Sequence, residues 1–187
     1  MGLFAKLRPI AQAYVASVVL AGALVVAWSL VDLWAHPVGI EWFALAALTL
    51  LTGSFTVKVP STNASLSVSE AFVFASVLMF GPSAGATTVL LECLAILFWM
   101  PLQGKPLHRL LFNLAAPAIA VWVSGTVFFA TSNLLPSAQQ AAPLHELFPP
   151  LVIFTVLYFL LNSWLVAIAL GLDTCLLYTS PSPRDVE

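Results

Sequence analysis

Charge is what this sequence has least of. Only 7% of its 187 residues are Asp, Glu, Lys or Arg, against about a quarter in soluble domains, so an ordinary water-soluble domain is excluded. The net charge is −2 and there is no basic tail, which argues against a nucleic-acid partner. Cysteine is almost as scarce. Cys93 and Cys175 form no C-x-x-C or metal-ligand spacing, and Cys93 lies inside an apolar run. Both are read as unpaired, and no metal site is expected. Enzyme signatures are missing as well: there is no H-E-x-x-H, P-loop or G-x-G-x-x-G. "GPSAG" at residues 81–85 has the G-x-S-x-G form. A nucleophile elbow, however, needs a strand-turn-helix setting with Asp and His partners further along the chain. Here Gly81 and Pro82 mark a structural turn between apolar segments, so no catalytic residue and no cofactor is expected. Internal repeats and low-complexity tracts are also absent.

What the chain has instead is apolar length. Hydrophobic residues make up 61% of it, the mean hydropathy is +1.03, and apolar runs of about 20 residues recur, the signature of membrane helices. Six segments are expected, at residues 10–34, 40–57, 68–80, 83–100, 110–132 and 151–172. Each break carries Pro, Gly or Asn, as in "HPVG", "VPSTN", "GPSAG", "QGKP", "NLLPS" and "LFPP". The first segment is too long for a signal peptide and lacks a small-residue cleavage site. The fold class expected is an all-α membrane protein, a bundle of about six transmembrane helices around which lipid is the first partner.

Basic residues set the orientation. With a cytoplasmic N-terminus, six crossings put Lys6, Arg8, Lys58, Lys105 and Arg109 inside, and the outer loops near His36, near Pro82 and over residues 133–148 hold no Lys or Arg. The third segment is the anomaly. Its 13 residues make a helix of roughly 20 Å, short of the ~30 Å hydrocarbon core. Three arrangements are open: "VPSTNASLS" enters the membrane under cover of other helices, segments three and four form a shallow pair, or a short helix sits beside thinned lipid. A short or partly re-entrant segment often marks a binding site.

Two glutamates need separate explanations. Ser67-Val68-Ser69-Glu70 fits S-x-x-E, a capping box in which the Ser67 hydroxyl accepts from the Glu70 N–H and the Glu70 carboxylate accepts from the Ser67 N–H. Near the cytoplasmic face that role is inexpensive; a ligand role for Glu70 is the alternative. Glu92 lies about ten residues into its segment, near the expected midplane, where an ionised carboxylate costs roughly 2.5–3.5 kcal/mol on insertion scales. Helical spacing puts Gly85, Thr88 and Ala95 on its side, a small and polar stripe that admits another helix, with Thr88 a ligand candidate beside Glu92. Glu92 is either an interhelical hydrogen-bonding group or a ligand, proton or sensing site, with Asn162 the expected partner. Asn162 itself, mid-segment in "YFLLNSWLVA", reads as packing or function. Asn113 stands one turn before Pro117, whose ring should kink the fifth segment, and its amide suits the groups freed there; a ligand role is the alternative. His108, beside Lys105 and Arg109, is expected in a basic loop in headgroup contact. Trp34, Trp42 and Trp99 read as interfacial anchors.

"VPSTNASLSVSEAFVFASVLMFGPSAG", "LFNLAAPAIAVWVSG" and "YFLLNSWLVAIAL", in that order, resemble the N-terminal integral-membrane sensor module, of the MASE kind, that precedes GGDEF cyclase or HD-GYP phosphodiesterase domains in bacteria. The likeness spans roughly residues 55–173. It implies an inner-membrane input or anchoring domain, not itself an enzyme, covalently linked to a cytoplasmic domain that turns over cyclic di-GMP; a homodimer is left open. It also implies an acidic residue at the position of Glu92 and a serine-glutamate pair at Ser69-Glu70. After "ALGLD" the family would continue into further segments, but here a polar "CLLYTSPSPRDVE" follows. It resembles translated adapter sequence. The expected division is therefore a membrane domain over residues 1–173 and a non-native tail over 174–187. The runner-up is a small-molecule-binding membrane protein similar to the substrate-capture subunit of a vitamin transporter, and a plain anchor without ligand is the third reading.

Overall fold

The computed structural model describes residues 9–52, 56–58, 65–67, 69–99, 107–132 and 144–174. They form six helices and one hairpin. Helices α1 (Pro9–Ala35) and α2 (Ile40–Thr52) lead into strands β1 (Thr56–Lys58) and β2 (Ser65–Ser67). Helices α3 (Ser69–Phe80), α4 (Pro82–Trp99), α5 (Leu107–Ser132) and α6 (Leu144–Thr174) follow. Three helical stretches, Pro9–Ala35, Leu107–Ser132 and His145–Leu172, are long and apolar enough to cross a membrane by length and composition. Residues after Thr174, and with them most of the expected tail, lie outside the described residues.

The helical expectation holds for all six apolar segments, but not for the connection between the second and third. The second segment stops being helical at Thr52, and Thr56–Lys58 pairs antiparallel with Ser65–Ser67 in the register Thr56↔Ser67, Val57↔Leu66, Lys58↔Ser65. Gly53 follows the last helical residue in the sequence, and β-branched Thr56 and Val57 favour an extended chain. Pairing the two strands satisfies backbone donors and acceptors that a bare loop would leave open. The sixth helix differs too. It begins at Leu144 rather than near residue 151 and carries Pro149 and Pro150 inside it. Each proline removes one backbone donor, and the helix tolerates this close to its start.

The α3–α4 connection is as tight as a connection can be. Gly81 sits at φ 99°, a left-handed conformation open to glycine at little cost. Its N–H donates to Val77 O at 2.8 Å, closing α3, and its carbonyl accepts from the Gly85 N–H at 3.2 Å, opening α4. Pro82 is the first residue of α4, where a missing N–H costs nothing.

Helix α5 is the centre of the bundle, packed on α1, α4 and α6. Its inward positions are mostly small: Ala115, Ala116, Ala118, Ala120, Ser124 and Gly125 are all buried. Small residues let helix backbones approach closely where lipid offers no hydrophobic drive. One core cluster gathers Val73, Val77, Val89, Val121, Phe128 and Phe154; the other gathers Val15, Val18, Phe112, Ala115 and Ala116. Edge-on aromatic contacts run through the first, Phe74 to Phe154 at 5.1 Å and Phe128 to Phe154 at 6.1 Å. Helices α1 and α6 instead turn large apolar side chains outward, among them Leu20, Leu24, Trp28, Val156, Phe159 and Trp164. Patches of that extent on a soluble protein mark an interaction surface, and lipid suits them here.

Two contacts fix which helix ends share a face of the bundle. Ser83 Oγ, at the start of α4, donates to Asp32 Oδ2 near the end of α1 at 2.5 Å, and Asp32 also lies 3.2 Å from His36 Nδ1. At the opposite end, Tyr14 near the start of α1 donates its hydroxyl to Leu165 O in the last third of α6 at 3.0 Å.

Candidate functional site

Helix lengths decide the site. Ser69 stands 12 residues before Gly81, and Glu92 stands 11 after it. At a rise of about 1.5 Å per residue, both are roughly 17–18 Å from the same turn, on neighbouring antiparallel helices. The Ser69 hydroxyl donates to Glu92 Oε1 across that gap. Glu70 follows Ser69 directly, so the expectation that the two glutamates occupy separate places is corrected: they share one site. The short third helix starts at the depth of Glu92 and carries Glu70 there. Of the Ser67–Glu70 capping box, Ser67 lies in β2 while α3 begins at Ser69, and the Ser67 side chain lies outside the described residues.

Both glutamates, half-buried, line one cavity of about 280 Å3 among α3, α4, α5 and α6. Its wall is built from helical spacings: Ser69, Glu70 and Val73; Val89, Glu92 and Cys93; Asn113, Ala116 and Pro117; Tyr158, Asn162 and Val166. Each group falls on one face of its helix. Four residues that the sequence singled out separately, Glu70, Glu92, Asn113 and Asn162, therefore share one space. The partner of Glu92 is Ser69 of α3 rather than Asn162. Among the described residues, no hydrogen bond is made by the side-chain amide of Asn113 or Asn162.

Pro117 interrupts the backbone ladder of α5 beside the cavity. It has no N–H to donate to the carbonyl of Asn113, its partner one turn back, and both residues line the cavity. The lining thus combines two carboxyl groups, two amides and the Tyr158 phenol, and among the described residues no Lys or Arg joins them. Tyr158 is held edge-on against Phe74 at 4.8 Å. Such a lining is rich in acceptors, so it suits a small ligand that brings hydrogen-bond donors or positive charge. Among the described residues no group of His, Cys, Asp and Glu is placed to hold a metal.

Tyr158 was missed in the sequence, although it stands four residues before Asn162 on the same helical face. Thr88 was singled out but is not brought to the cavity. It is fully buried, donates to Ala84 O at 2.9 Å, and accepts from Trp42 Nε1 at 3.1 Å. Trp42 is accordingly not an interfacial anchor: it is buried, and its indole N–H also approaches Ala84 O at 3.4 Å. Trp34 is exposed, at 89%, and the Trp99 side chain lies outside the described residues. Thr88→Val retains the shape but removes the acceptor for the indole, and should lower stability by about 1 kcal/mol, read as a lower thermal midpoint in detergent. No change would mean that Ala84 O suffices as the Trp42 partner.

His108 also departs from expectation. It lies in the first turn of α5 and is buried, not in a loop; Pro106, just before the helix in the sequence, suits a helix start. Together with Arg109, Phe112, Asn113 and Val15 it lines a second cavity of about 280 Å3, which Val166, Ala169 and Leu170 of α6 close. Asn113 and Val166 border both cavities.

Comparison of the chain with protein-family models, with curated proteins and with solved structures found no match.

Proposed function

We propose that the chain is the membrane-embedded sensory input domain of a bacterial signalling protein. In this reading its six helices cross the inner membrane with the N-terminus inside. A covalently linked cytoplasmic domain makes or degrades cyclic di-GMP. The observation that carries a sensory rather than a merely anchoring role is the convergence of Glu70, Glu92, Asn113 and Asn162 on one cavity. Polar groups at membrane depth are expensive, and in membrane helices they mark ligand or ion sites by default. The signalling part rests on the resemblance of the three quoted phrases to MASE-type modules.

The six-crossing arrangement draws support from the helix ends. The start of α1, the start of α5 and the later part of α6 meet at the second cavity, while the end of α1 meets the start of α4. This is the alternation that six crossings require, and it gathers the basic Arg109 with the N-terminal end. Helices α2 and α3, with 13 and 12 residues, reach only about 20 and 18 Å, the shortest spans of the six and the ones that would need the bilayer to thin beside them.

A reporter fused at Gln140 should behave as periplasmic, and cytoplasmic behaviour there would sink the topology. The function is tested by reading the gene in its genomic setting and measuring cyclic di-GMP in cells that express the whole protein it encodes. A GGDEF or HD-GYP domain with measurable turnover is the expected result. A whole protein without an output domain would favour the transporter-like capture subunit, for which the same cavity would be the substrate site.

A further inference from the structure

We propose that the second cavity, between α1, α5 and α6, binds the phosphate group of an anionic ligand through His108 and Arg109. This site is distinct in charge from the acidic cavity beside it. Among the described residues no Asp or Glu lines it, and the ionisable side chains there are the imidazole and the guanidinium. His108 is 8% exposed and borders the cavity, so an imidazole largely withdrawn from bulk water forms part of its wall. Arg109 is exposed beside it and offers a planar fork of donors that matches phosphate oxygens. Both stand in the first turn of α5, a helix of 26 residues, where backbone N–H groups without helical partners add positive potential. A guanidinium, an imidazole able to donate an N–H and a helix N-terminus thus meet at one mouth.

The rest of the lining is apolar apart from Asn113, with Val15, Phe112, Val166 and Leu170 forming the wall. A head bearing negative charge with a greasy body behind it is the chemistry this geometry complements, and basic pockets between membrane helices take anionic headgroups in this way. A soluble phosphate ester shares the head but not the body. Both His108 and Arg109 also interact with other parts of the chain, so the phosphate would share their donors rather than claim all of them.

The test uses the full chain in phosphatidylcholine nanodiscs at near-physiological salt. Phosphatidylglycerol is titrated into the bilayer in one arm and glycerol phosphate into the buffer in the other, and the thermal midpoint is followed. A saturable rise in either arm supports the proposal, and the arm that shows it identifies lipid or soluble ester as the source. Arg109→Gln should weaken the apparent affinity about tenfold, the loss of one charge-assisted contact, while Arg109→Lys should weaken it less. Should Arg109→Gln fail to give monodisperse helical protein, His108→Gln takes its place with the same expected direction. Neutralising Lys6 and Arg8 together should leave the affinity unchanged. The proposal is overturned by no saturable rise in either arm, by an unchanged affinity in the folded cavity variants, or by an equal loss on neutralising Lys6 and Arg8.

Discussion

Glu92→Gln should leave the chain folded and inserted, yet abolish the response of the whole protein to its stimulus. The amide keeps an oxygen where Glu92 Oε1 now accepts from the Ser69 hydroxyl, so the α3–α4 contact survives and the stability cost should stay below about 1 kcal/mol. What the substitution removes is the ability to carry charge or a proton in the cavity. Glu92→Ala removes the acceptor as well and opens space beside Ser69, at a cost of about 1–3 kcal/mol. The informative comparison is therefore Gln against wild type, with cyclic di-GMP output as the readout and thermal midpoint as the control. Because Glu70 lines the same cavity, Glu70→Gln should also shift the response, whereas a residue serving only as a helix cap would be nearly silent. An unaltered dose-response in both variants would reduce the two glutamates to packing groups and remove the sensory reading with them.

The largest effect on stability should come from a residue without a side chain. Gly22 of α1 lies against α5 so closely that a Cβ there would collide with the Ala115 side chain, meet its Cα at 2.7 Å and its carbonyl oxygen at 3.2 Å. A flexible neighbour could move aside, but a helix backbone cannot without parting α1 from α5. Overfilling a packed interior costs about 1–3 kcal/mol and occasionally more, and Gly22→Val should fall at the upper end, about 3 kcal/mol. Gly171 of α6 supplies the control, since a Cβ there would meet nothing within 4 Å. Gly171→Val should change stability by no more than about 0.5 kcal/mol. Unfolding both variants in the same detergent measures the contrast; equal stability of Gly22→Val and wild type would mean that α1 does not pack on α5 as described.

These two cases differ in how visible they are in the sequence. Glu92 stands out because a carboxylate in an apolar run violates the composition around it, and Asn113, Asn162 and Glu70 stand out for the same reason. Gly22 does not. It sits in "VVLAGALVV" among residues that all suit a membrane helix, and only the approach of α5 makes it indispensable. Thr88 shows the opposite error: a polar residue one turn from Glu92 suggested a shared site, but α2 brings Trp42 to its hydroxyl and claims it for packing.

Apolar periodicity and turn residues by themselves determined the six helical segments, the Gly81–Pro82 turn and the set of polar residues worth asking about. These are local properties, legible because each depends on a residue and its near neighbours in the chain. The β1–β2 hairpin, the central place of α5 and the meeting of Glu70 with Glu92 were decided only in three dimensions. Twelve residues of α3 and eleven of α4, counted back from one turn, bring two distant glutamates to one depth, and the faces of α5 and α6 close a cavity around them. Spacing along a chain records which side of its own helix a residue occupies, but which other helix covers that side is settled by packing.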